Sequence, residues 1–186
     1  ARIVQQVGNV QTYDHARTMA AAEAPLSVLI DSLHNERDVS VEMMAFRDQS
    51  KQDDATLFNL NRSIASLVKN TDKAREALQP VLNKIDGSYP KDTLAAIANA
   101  KANMVTRQAL LTSVTSSNSD ALSVFDQYNK LLDSMNALYQ FVAADAGDQQ
   151  LINDARALND LAKMTETTSR ERGLLTGEDV KAVAAE

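Results

Sequence analysis

The chain has 186 residues, a formal net charge of −6 and no cysteine, which excludes disulfides, thiolate metal sites and cysteine nucleophiles. Aromatic residues make up only 4% and tryptophan is absent, while Ala and Leu are the commonest residues, a mix that favours helix over strand. A sequence pI near 5.0, with no basic cluster interleaved with aromatics, argues against nucleic acid as a partner.

The length suits one domain, or two small bundles that share long helices. No apolar run approaches the ~20 residues that span a bilayer. The chain begins at Ala1 rather than Met, and a membrane anchor is expected beyond either end. Residues 1–23 are polar and alanine-rich and read as a helical lead-in from that anchor, without a strong buried face. Pro25 then fits the first turn of a helix or a kink in a longer one.

Apolar spacing becomes clear from there, with Leu26, Ile30, Leu33, Val41 and Met44 along one stripe and Leu29 flanking it. Residues 48–55 are a polar turn with capping residues. The second helix carries Leu57, Leu60, Ile64, Leu67, Val68 and Leu78, and Pro80 predicts its end near Gln79. Residues 86–90 (DGSYP) are a strong loop signal. The third helix runs from about Pro90 to Thr115 with Leu94, Ile97, Met104, Leu111 and Val114 inward. Residues 116–120 form a turn able to cap a fourth helix bearing Leu122, Phe125, Tyr128, Leu132, Met135, Leu138, Tyr139 and Val142. A fifth helix is expected from Gly147–Asp148 to about Thr176. Long helices joined by short polar turns predict an all-α, antiparallel up-and-down bundle of the four-helix type.

Two arginines fall where apolar side chains belong. On the first bundle helix, positions 26, 30, 33, 37, 41 and 44 form one face, so Arg37 interrupts it. On the last helix, Leu151, Ala155, Leu158, Ala162, Thr165, Ser169 and Arg172 share a face, with Gly173 beside the arginine. A guanidinium inside a bundle is costly unless paired, and its planar fork suits a carboxylate or a small planar oxyanion. Arg37 and Arg172 therefore either clamp one anion from facing helices, with Ser169 and Gly173 as supporting contacts, or each pairs with an acidic side chain such as Glu166 or Asp133, or snorkels to the surface. Glu36-Arg37 on the first helix is echoed by Glu171-Arg172 on the last; Arg107 interrupts the third helix in the same way but lacks that echo, and a structural ion pair is expected there.

The methionines at 43, 44, 104, 135 and 164 have helical spacing and read as core. His15 and His34 lie too far apart to face each other, and no Glu-x-x-His motif supports a haem or di-iron bundle. No phosphate loop or nucleophile motif occurs, so no cofactor, metal or enzymatic activity is expected.

The stretch from Pro25 to Ser40 (PLSVLIDSLHNERDVS) resembles the opening helix of the nitrate- and nitrite-sensing domain, in which leucines precede Glu-Arg-Gly and a nearby serine. Residues 169–175 (SRERGLL) resemble that family's second arginine motif. The order between them also fits, through an Asp-rich turn, Arg107, Tyr128 and the DARAL run at 154–158. The likeness covers roughly residues 24–177, the expected sensing domain, and leaves 178–186 as a tail or the start of a second bundle.

The resemblance implies an all-helical sensor that binds nitrate or nitrite between helices through an arginine of each motif and backbone amides. It also implies a place outside the membrane in a chemoreceptor or sensor histidine kinase of a two-component system, actinobacterial in flavour, with flanking transmembrane helices and a homodimeric state. One departure matters: Asp38 stands where the family has glycine, adding negative charge beside Arg37. A different class stays open, a helical dimerisation or protein-interaction module with no small-molecule ligand.

Overall fold

A three-four repeat runs down the first helix: Met19, Ala22, Leu26, Leu29, Leu33, Glu36, Ser40 and Met43, all at 0–1% exposure. This is the seam spacing of helices that pack nearly parallel or antiparallel with interlocking side chains. The computed structural model describes residues 2–47, 53–116 and 120–145, with side chains from residue 12 onward. They form four helices, α1 (Arg2–Arg47), α2 (Asp54–Leu82), α3 (Lys91–Ser116) and α4 (Ala121–Asp145), with no strand among the described residues. The chain is thus the all-α helical bundle its periodicity predicts, and the expected fifth helix lies outside the described residues.

α1 packs on α2 and α4, and α4 packs on α3. The other helices supply matching seams: Leu60, Ile64, Thr71, Ala74 and Leu78 from α2, Ile97, Ala100, Arg107, Leu111 and Val114 from α3, and Val124, Tyr128, Leu131, Met135, Leu138 and Val142 from α4. One end of the core gathers Met43, Met44, Leu60, Ile64, Leu110, Val114, Val124 and Tyr128.

Side chains close the helix starts. Asp53 accepts from the Ala55 and Thr56 amides at 3.3 and 3.1 Å and from the Thr56 hydroxyl at 2.7 Å. These bonds, the hydroxyl's first, hold its carboxyl below the ordinary range. Asp120 caps α4 as expected, accepting from the Ser123 amide at 2.8 Å.

Pro25 and Pro80 lie inside helices rather than at their ends. Each leaves the carbonyl four residues earlier without its N–H, on Ala21 and Glu76, and both of these are exposed, so water can serve them. Burial on either side, Ala22 and Leu26 around Pro25, Leu78 and Leu82 around Pro80, carries each helix through. α2 therefore runs three residues past Gln79.

The described part of the lead-in, residues 12–23, has a buried face after all. Met19 and Ala22 are fully buried, and the His15 ring stacks on Tyr89 of the α2–α3 loop, centroids 3.8 Å apart. His15 Nε2 also meets the Ser88 hydroxyl at 2.9 Å. Leu122, expected inward, is 63% exposed, because the α4 seam enters at Val124 instead.

Candidate functional site

Midway along the bundle each helix contributes a polar group to one layer, buried except at Asp72 of α2, whose side chain is 40% exposed. Glu36 of α1 is 0% exposed, and Arg107 of α3 is 3% exposed. Arg107 donates to it in a two-pronged pair, Nε to Oε1 at 2.8 Å and Nη2 to Oε2 at 2.6 Å. Nη1 donates to Asp72 of α2 at 2.8 Å, and Nη2 also reaches the Val68 carbonyl at 3.3 Å. From α4, the Tyr128 hydroxyl donates to Glu36 Oε1 at 2.9 Å and meets the Ser40 hydroxyl at 3.3 Å.

Electrostatics follow the geometry. Burial works against the charge on Arg107, but the Glu36 and Asp72 carboxylates outweigh it and raise its pKa. Burial, reinforced by the Glu36 charge, pushes the Tyr128 phenol far above its usual value, so its hydroxyl stays a donor. Every charge in this layer has a partner inside it. The structural ion pair expected of Arg107 is present, and its partner is Glu36, which the sequence marks only as the neighbour of Arg37.

One residue on, Arg37 is arranged differently. It is 4% exposed and lies between α1 and α4, its guanidinium carbon 5.1 Å from the centroid of the Phe125 ring. Its acidic contact is the adjacent Asp38, whose Oδ1 takes Nε at 2.9 Å and Nη2 at 2.8 Å while the side chain stays 64% exposed. Nη1 donates to the neutral Asn129 amide oxygen at 3.0 Å. The carboxylate that meets Arg37 is thus the solvated one of Asp38, and Glu166, one of the partners weighed from the sequence, lies outside the described residues.

Asn129 is 7% exposed, and its Nδ2 is the one buried side-chain polar atom without a hydrogen-bond partner among the described residues. His34, one turn before Arg37, has its pKa lowered from 6.5 by burial and then by the Arg37 charge, with Asp38 and Asp31 opposing. Arg172, Ser169 and Gly173 lie outside the described residues.

Among the described residues no cluster of His, Asp or Glu has metal-binding geometry, and no helix is long and apolar enough to cross a membrane. No curated protein and no solved structure matches the chain significantly. Residues 28–178 match the family described as nitrate and nitrite sensing, a stretch that holds the buried layer, Arg37 and the second arginine motif alike. A match over so much of the length, on a bundle with an arginine buried at the first motif, places the chain in the nitrate- and nitrite-sensing family of signalling domains.

Proposed function

We propose that the chain is the extracytoplasmic ligand-sensing domain of a membrane receptor, and that Arg37 forms half of a site for nitrate, nitrite or a similar small oxyanion. Arg172 supplies the other half, with Ser169 and Gly173 as supporting contacts. The observation that carries this reading is the contrast between two arginines of similar burial. Arg107 is neutralised by a carboxylate as buried as itself, whereas the carboxylate on Arg37 is largely in water. A guanidinium kept in a bundle with so weak a counter-charge retains attraction for an anion that arrives from outside.

The anion draws the arginine-bearing helices together, and long helices such as α1 pass the shift to flanking transmembrane segments of a homodimeric histidine kinase or chemoreceptor. Such a shift is a two-state displacement biased by differential binding. Asp38 acts as a tethered competitor that the ligand displaces or shares.

The test is a set of thermal melts in nitrate, nitrite and chloride at matched ionic strength. At a hundredfold excess over the dissociation constant, binding to the folded state stabilises by about 2.7 kcal/mol. Equal responses to all three salts would mean screening alone and would favour the interaction-module alternative.

His34 reports on the same charge. Because its folded pKa is depressed, the unfolded chain binds more protons, so this residue's stabilisation is complete above about pH 6.5 and declines as pH falls below it. A bound anion offsets the Arg37 charge and moves the His34 midpoint upward, which narrows that loss. NMR titration of the imidazole with and without nitrate measures it, and an unmoved midpoint at saturation contradicts an anion beside Arg37.

A further inference from the structure

We infer that Asn129 is a ligand-binding residue of the Arg37 site, its Nδ2 donating a hydrogen bond to the bound oxyanion. This rests on the reading of Arg37 above and adds a residue from α4 that neither arginine motif contains. The Arg37 Nη1–H fixes which way the amide faces, since turning it over would set N–H against N–H. Oδ1 is thereby committed to the guanidinium, and Nδ2 is left buried without an acceptor. Buried amide donors are rarely left so, because stranding one forfeits its hydration without return.

The surroundings say what kind of acceptor completes it. Phe125, one turn before Asn129, covers a face of the guanidinium, so a ligand meets Arg37 at the edge of its plane. Nη1 and Nη2 each retain a second N–H beyond their contacts with Asn129 and Asp38. Nδ2 shares an amide carbon with the oxygen that Nη1 holds, so all three donors lie close together. A planar anion with several acceptor oxygens can satisfy them at once; a monatomic halide offers one centre. Asn129 thus sets the preference for oxyanion over halide.

The experiment titrates sodium nitrate, and sodium chloride separately, into the full chain as wild type, Asn129→Leu, Asn129→Asp and Arg37→Met. Calorimetry is followed alongside the side-chain amide NMR signals of Asn129, identified by their loss in Asn129→Leu. Nitrate should bind Asn129→Leu about ten- to a hundredfold more weakly than wild type, with chloride affinity little changed. Asn129→Asp keeps the acceptor for Arg37 but sets a second carboxylate against the ligand, and should not bind. In wild type the Asn129 amide signals should shift with the calorimetric midpoint, which decides the matter even if a variant fails to fold.

Unmoved amide signals with full nitrate affinity in Asn129→Leu overturn the role of Asn129; if Arg37→Met still loses binding, the Arg37 reading survives. Absence of nitrate binding to wild type overturns both.

Discussion

Replacing Arg107 with Met is expected to destabilise the protein by about 3–5 kcal/mol, because it strands a carboxylate in the interior. Glu36 is 0% exposed and receives two of its three hydrogen bonds from Arg107. Without the guanidinium only the Tyr128 hydroxyl faces it, and bringing in water would split the α1 seam. For a chain of this size the melting temperature should fall by roughly 6–20 °C. Removing the carboxylate as well, in Glu36→Leu with Arg107→Met, should recover most of the loss, since a matched apolar pair avoids the desolvation of both charges. A cost below about 1 kcal/mol for Arg107→Met, the range of exposed ion pairs, would show that the layer is hydrated rather than buried.

The opposite outcome is expected at Arg37. Arg37→Met combined with Arg172→Met should abolish nitrate-dependent stabilisation, a loss of about 2.7 kcal/mol at a hundredfold ligand excess, while leaving the ligand-free domain folded. The reason lies in the partners: Asp38 already stands 64% exposed, so losing Arg37 returns it to water instead of trapping it. The Asn129 oxygen does lose its donor, which limits the ligand-free cost to about 1–3 kcal/mol. Melts of wild type and double variant, with and without nitrate, read both effects. A collapse of the ligand-free variant like that of Arg107→Met, with no nitrate response in wild type, would make Arg37 a structural residue.

The helices and their order were legible because polar turns with capping residues separate long apolar stripes. Residues 53 and 120 illustrate this, each an aspartate before a periodic run whose side chain does close the helix. The register was harder. A stripe through 26, 30, 33, 37, 41 and 44 and a seam through 26, 29, 33, 36, 40 and 43 coincide at 26 and 33 and run one residue apart elsewhere, and the face of α1 is broad enough to bury members of both. The stripe finds Arg37, on the flank toward α4. The seam finds Glu36 and Ser40, which a strict three-four count from Leu26 would have reached, but a glutamate on an apolar seam is discounted until its partner is known. That partner sits on α3, 71 residues away, and nothing local announces it.

Asn129 was invisible for a related reason. Between Tyr128 and Lys130 it reads as surface, and only its spacing from Phe125 and Leu132 places it on the core side. Pro80 misled in the other direction, since local rules end a helix where burial of Leu78 and Leu82 continues it.

The central claim, that a small oxyanion is held at Arg37, is tested most directly by crystals of the full chain grown with nitrate. Trigonal planar density is expected in contact with the guanidinia of Arg37 and Arg172, with the Asp38 carboxylate moved off Nε or sharing it. Density absent from that position, with Arg37 still closed on Asp38 and Arg172 paired to a carboxylate elsewhere, would contradict it.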